Sequence, residues 1–97
     1  MNDSIIYHKI TEIEQFIADG ILSTEDMRII SSGPKSWVIR FYTEVNGEEK
    51  EVRIKRQRGG ERYWSDPRIM IEYCVLSWKI SHAKLSIEWE RSLNECN

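Results

Sequence analysis

Apolar residues near the start of the chain recur at helical spacing. Gly20 follows the pattern and is well suited to ending a helix. A later start is the alternative, because Thr11 to Glu14 has the residue types of a capping box and would leave residues 5–10 extended. We take the longer helix as the prediction. The residues that follow its spacing are Ile6, Ile10, Ile13, Phe16 and Ile17.

The middle of the chain predicts a β-hairpin. Residues 36–45 and 48–58 alternate between apolar and polar side chains around Asn46-Gly47, a strong signal for a two-residue turn. That turn places Phe41 opposite Val52 on an inner face. The other inner pairs are Ile39–Ile54 and Trp37–Arg56, and the outer pairs are Arg40–Arg53, Glu44–Glu49, Tyr42–Glu51 and Val38–Lys55.

Two helices and four strands complete the predicted order. Residues 27–31 form a short strand, and Asp66-Pro67 begins a second helix that runs to about Lys79. That helix is apolar on most sides, so it is central to the fold or shares a face with a partner. Residues 84–90 alternate, with Leu85, Ile87 and Trp89 inward, and residues 92–97 form a frayed tail. We predict an α+β fold, α-β-β-β-α-β, with an antiparallel sheet and both helices on one face.

The 97 residues have room for one domain, spanning 1–97, and show no apparatus for catalysis. Cys74 lies in an apolar run and Cys96 is a tail thiol, so the cysteines predict a cytoplasmic protein without disulfides. The first residues have neither a basic region nor a long apolar stretch, so we predict no signal peptide and no membrane segment. His8 and His82 lack metal-ligand spacing. We predict no metal, no cofactor and no enzyme activity.

Charge divides the chain more sharply than its net value of −2 suggests. Residues 1–51 hold five basic and ten acidic side chains, whereas residues 52–97 hold nine basic and six acidic side chains. Like charges directly opposite in a strand pair are unfavourable, so Arg40 facing Arg53 indicates either function or neutralisation by acids such as Glu51, Glu61 and Asp66. The candidate partner-binding residues are Glu44, Glu48, Glu49, Glu51, Arg40, Arg53, Lys55, Arg56, Arg58, Arg62 and Trp64.

Two resemblances bear on function. A small, motif-poor α+β chain that is split in charge and rich in aromatic residues resembles the small inhibitors and accessory proteins encoded by phages and plasmids, such as the anti-CRISPR proteins. The segment from Trp37 to about Ile80, with Arg-Gly-Gly-Glu-Arg-Tyr-Trp at 58–64, resembles small plasmid partition-associated proteins. The first resemblance implies a protein partner, such as a CRISPR effector subunit or another nucleic-acid-handling complex.

Three functional hypotheses follow. The leading one is a non-catalytic inhibitor that occludes a nucleic-acid site on a larger partner, with the glutamates of the hairpin tip imitating phosphates. The alternative is direct nucleic-acid binding through the basic arm of the hairpin, as in a partition accessory protein, with affinity that falls with salt. The third is a homodimer that forms through helix 67–79.

Overall fold

The computed structural model describes residues 4–89, which form a five-stranded sheet with two helices. A short 3₁₀ turn, Thr24–Asp26, precedes the second strand. The elements are β1 (Ile5–His8), α1 (Ile10–Ala18), β2 (Met27–Gly33), β3 (Ser36–Val45), β4 (Glu48–Ile54), α2 (Pro67–Trp78) and β5 (Lys84–Ile87).

The sheet is mixed, with the strand order β1-β4-β3-β2-β5. β1 is parallel to β4 and β5 is parallel to β2, while the pairs β2–β3 and β3–β4 are antiparallel. The α+β class is confirmed, but the predicted purely antiparallel sheet is wrong. The reason lies in the connections. Each helix returns the chain to the end of the sheet at which the preceding strand began. The strand after each helix therefore runs in the same direction as the strand before it.

The first helix is shorter than predicted. Residues Ile5–His8 are a strand in which Ile6 pairs with Val52, and α1 begins only at Ile10. The Glu12 side chain accepts the Lys9 backbone N–H at 2.9 Å, so the cap lies two residues before the one considered at Thr11. The longer helix is therefore wrong, and the alternative that left residues 5–10 extended is closer.

The hairpin register is confirmed from its tip to the middle of the strands. Glu44 pairs with Glu49, Phe41 with Val52, and Arg40 with Arg53, around a turn in which Asn46 and Gly47 both have positive φ. The ladder ends at Arg40–Arg53. Beyond it the predicted Trp37–Arg56 pair is wrong, because a loop over residues 55–61 leaves the sheet and Trp64 pairs with Trp37 instead.

One core lies between the sheet and both helices. Phe41 and Ile39 are fully buried on the inner face, and the Trp78 ring of α2 meets the Phe41 ring edge-on with 5.6 Å between centroids. The Tyr73 hydroxyl of α2 donates a hydrogen bond to the Glu14 carboxylate of α1, which places the helices side by side. The other buried residues of this core are Ile13, Leu22, Met27, Ile29, Val52, Ile54, Trp64, Met70 and Cys74.

The second helix begins and ends close to its predicted limits. The Asp66 carboxylate accepts the Arg68 backbone N–H at 2.9 Å, with Pro67 in the first helical position. Cys74 is a buried core residue as predicted, and burial raises the pKa of its thiol to about 11. Cys96 and the predicted tail at 92–97 lie outside the described residues. No helix within residues 4–89 is long and apolar enough to cross a membrane.

The last strand is on the sheet edge and is less buried than predicted. Leu85 and Ile87 lie on the helix-bearing face, where they pair with Ile29 and Ser31 of β2, but about half of each side chain is exposed. Trp89 follows the strand, and its indole N–H donates to the Ser31 hydroxyl at 2.7 Å.

Candidate nucleic-acid interface

Four charged side chains on the helix-free face of the sheet neutralise one another. Arg40 makes two hydrogen bonds to the Glu61 carboxylate, both at 3.0 Å, and lies 3.5 Å from Glu51. Arg53 lies 2.5 Å from Glu51 and 3.7 Å from Glu61. We call these four residues the arginine–glutamate network. Its two positive and two negative charges relieve the repulsion between the paired arginines.

The network also holds both arginines in their charged form. The hydrogen bonds that Arg40 donates to Glu61, together with the nearby Glu51 charge, raise the pKa of Arg40 in spite of its partial burial. Burial alone would lower the pKa of Arg53, but hydrogen bonds to Glu51 and to the Tyr7 hydroxyl outweigh it and leave the pKa raised. Among the predicted site residues, Arg40, Arg53 and Glu51 are thus engaged with one another or with Glu61. Each would have to give up a strong contact to reach a partner.

Basic residues collect where two parallel strands end side by side. β1 and β4 are parallel neighbours with His8 opposite Ile54, so Lys9 and Lys55 follow them at the same edge of the sheet. The Lys55 backbone N–H donates to the His8 carbonyl at 2.8 Å, which extends the pairing to this edge. We call the cluster that forms here the basic end. Its members are Lys9, Lys55, Arg56, Arg58 and Arg62.

A short segment held by backbone hydrogen bonds, residues 55–62, carries four of these five cations. The Arg62 N–H donates to the Ile54 carbonyl at 2.7 Å, and Lys55 forms a bridge with Glu61. Within the loop the Arg56 N–H donates to the Gly60 carbonyl at 2.9 Å, and Gly59 and Gly60 supply the positive φ angles of the turn. These bonds give the loop a defined shape, so its cations lie at fixed positions relative to the sheet.

Aromatic rings orient two of the guanidinium groups. Arg62 lies over the Trp64 ring, 4.7 Å from its centroid, and Arg56 lies 5.9 Å from the centroid of Tyr63. A ring face attracts a cation without neutralising it, so each guanidinium keeps its full charge. Trp64 itself is only 8% exposed and packs in the core. It therefore positions Arg62 and is not an exposed anchor for a partner.

The basic end lines a groove that contains no acidic side chain from residues 4–89. Besides the five cations, the lining residues are Ile10, Thr11 and Gln57. None of the five cations forms an ion pair with an acid within residues 4–89. The amino terminus of α1 lies in the same groove, but the Glu12 carboxylate of its first turn accepts the Lys9 backbone N–H and offsets the helix dipole there. The groove is therefore an anion-attracting surface on a protein whose net charge is −2.

Acidic residues collect at the opposite end of the sheet. Glu44, Glu48 and Glu49 are exposed around the hairpin tip, and Glu25 and Asp26 precede β2 beside them. We call these five residues the acidic end. Glu48 lies 3.3 Å from the Lys50 ammonium, whereas the other four form no ion pair within residues 4–89. Lys55 follows Glu49 by six residues along β4, so the two ends lie about 20 Å apart along the strand.

The described part of the chain shows no cluster of histidine, cysteine and acidic residues that would hold a metal ion. The structure thus sorts the charged residues of the predicted site into three places, the basic end, the acidic end and the arginine–glutamate network between them, and it places Trp64 in the core. Lys9 was not predicted from the sequence, since its place depends on the pairing of β1 with β4.

No protein-family model, curated protein or solved structure matches this chain.

Proposed function

We propose that this protein binds nucleic acid through the phosphate backbone, with the basic end as the contact surface. The observation that carries the proposal is the groove lined by five cations and by no acid from residues 4–89. Phosphate groups are the anions that such a surface suits, because guanidinium groups donate paired hydrogen bonds to phosphate oxygens.

The arrangement suits a chain of phosphates better than a single anion. Five cations in one groove exceed the charge of one phosphate group, and successive phosphates on a strand would engage them one after another. Tyr63 is half-exposed beside Arg56 and offers a ring face on which an unpaired base can stack. Contacts to the phosphate backbone carry no sequence information, so we expect binding that depends little on sequence.

Fluorescence anisotropy with labelled DNA tests the proposal. We expect the full chain to bind a 20-base-pair duplex and a single strand of the same length at about 50 mM salt, with little dependence on sequence. If four or five phosphates are contacted, affinity for the duplex falls roughly 100-fold or more between about 50 and 200 mM salt. Absence of binding to either probe at about 50 mM salt would show the proposal to be wrong.

A second candidate function is occlusion of a nucleic-acid site on another protein. The observation that favours it is the acidic end, where the exposed carboxylates of Glu25, Asp26, Glu44 and Glu49 form no ion pair within residues 4–89. Affinity capture from a cell lysate with the wild type and with a Glu44→Lys/Glu49→Lys variant tests this candidate. If this candidate is right, a nucleic-acid-binding protein is retained by the wild type and lost from the folded variant. Equal retention by both would exclude the acidic end as the contact surface.

A further inference from the structure

The edge strand β5 has a sequence that complements itself. Around Ser86 the chain reads Lys84-Leu85-Ser86-Ile87-Glu88, with a cation and an acid at equal distances on either side and an apolar residue next to Ser86 on each side. If a second copy pairs antiparallel with Ser86 on the two-fold axis, Lys84 lies opposite Glu88 of the other copy and Leu85 lies opposite Ile87. Each of these contacts then occurs twice.

The backbone of β5 is oriented for that register. β5 runs parallel to β2, with Ser31 opposite Ile87, and the Glu88 N–H donates to the Ser31 carbonyl at 2.7 Å. In a strand of a parallel pair, the N–H and C=O of every second residue point toward the neighbouring strand, and those of the residues between them point away from it. Ser86 and Glu88 therefore face β2, and the N–H and C=O groups of Leu85 and Ile87 point away from the sheet. Leu85 opposite Ile87 is then a hydrogen-bonded antiparallel pair, which supplies four backbone bonds per dimer.

The Ser86 hydroxyl accepts a hydrogen bond from Arg28 at 3.1 Å, whereas the side chains of Lys84, Leu85, Ile87 and Glu88 are exposed and form no hydrogen bond or ion pair within residues 4–89. Leu85 and Ile87 are 54% and 55% exposed on the helix-bearing face. Neither Lys84 nor Glu88 forms an ion pair within residues 4–89. The other edge strand offers no equivalent, because Ile5–His8 contains no acid that could face a cation.

We infer that this protein forms a symmetric homodimer in which the β5 strands of two copies pair antiparallel and join their sheets into one ten-stranded sheet. Charge complementarity sets the register: a shift by two residues in either direction removes both Lys84–Glu88 contacts. A one-residue shift would place the free backbone groups of one copy opposite groups of the other copy that already bind its own β2. The dimer explains why the edge keeps two exposed aliphatic side chains, which an isolated sheet edge usually avoids.

Charge reversal with rescue tests the dimer. Sedimentation equilibrium of the full chain is expected to show a reversible dimer, and Lys84→Glu or Glu88→Lys alone is expected to weaken it about tenfold or more, because two attractive contacts become repulsive. The double variant Lys84→Glu/Glu88→Lys restores both contacts and the wild-type dimer constant. Lys35→Glu, an exposed change in the turn before β3, is the matched control and leaves the constant unchanged.

A second variant tests the backbone. Leu85→Pro removes an N–H that faces away from the sheet, so the fold survives while the dimer is lost. A chain that is monomeric at about 1 mM overturns the inference. A dimer that both single charge reversals leave intact also overturns it. A dimer broken only by Ile69→Lys or Leu76→Lys would place the contact on α2 instead.

Discussion

Replacing three arginines of the basic end by glutamine is expected to lower the affinity for DNA at least about 100-fold. The variant is Arg56→Gln/Arg58→Gln/Arg62→Gln. Each arginine provides a charge-assisted contact to a phosphate, and three such contacts with a net value near 1 kcal/mol each amount to that loss. The salt dependence is expected to weaken as well, with the slope of log K against log salt reduced by about three.

A control variant with the same change in net charge separates local contacts from overall charge. Arg28→Gln/Lys50→Gln/Lys79→Gln also removes three positive charges, but these residues lie away from the groove: Arg28 and Lys50 line the pocket beside the acidic end, and Lys79 follows the end of α2. We expect it to weaken binding only a few-fold through long-range electrostatics. Equal losses in both variants, or none in the first, would contradict a phosphate contact at the basic end.

Glu61→Gln is expected to lower the free energy of unfolding by about 2 kcal/mol. The Glu61 carboxylate receives both hydrogen bonds from Arg40 and lies 3.7 Å from Arg53. Without its charge, Glu51 alone faces two guanidinium groups on neighbouring strands, and hydrogen bonds to charged groups contribute about 1.5–3 kcal/mol. Urea unfolding followed by tryptophan fluorescence measures the loss.

Two further variants make this result specific to the network. Glu44→Gln changes a carboxylate of the same sheet that forms no ion pair within residues 4–89, and we expect an effect within about 0.5 kcal/mol. Arg40→Met in the Glu61→Gln background removes the excess cation, so a double-mutant cycle is expected to give a coupling of at least about 1 kcal/mol. Additive effects, or a Glu61→Gln loss no larger than that of Glu44→Gln, would mean that the network contributes nothing to the fold.

The parts of the fold predicted from sequence are those fixed by neighbouring residues. Asn46-Gly47 sets the hairpin register because both residues adopt positive φ in the turn, and Asp66-Pro67 sets the start of α2 through a local cap. β1 was missed because it spans four residues, too few to separate a strand period from a helix period. Its partner β4 also lies more than forty residues away along the chain, so no local signal reports the pairing.

The same limit applies to the candidate site. The basic residues at 55–62 are visible as a cluster in the sequence, whereas Lys9 joins them only through the parallel pairing of β1 with β4. Arg40 and Arg53 were correctly placed opposite each other. That Glu61 neutralises them depends on how the loop folds back over the sheet, which the alternating pattern does not encode. Exposure of Lys55, Arg56, Arg58 and Arg62, rather than their number, is the reason that we propose them as the contact surface.

Mapping of DNA contacts by NMR tests the central claim most directly. The full chain, labelled with ¹⁵N, is titrated with a short DNA duplex at about 50 mM salt, and the amide shifts are followed residue by residue. We predict that the largest shifts fall on residues 9–11 and 55–62, with the hairpin tip at 44–49 unchanged. Shifts centred on the tip, or none at saturating DNA, would contradict the assignment of the basic end as the nucleic-acid interface.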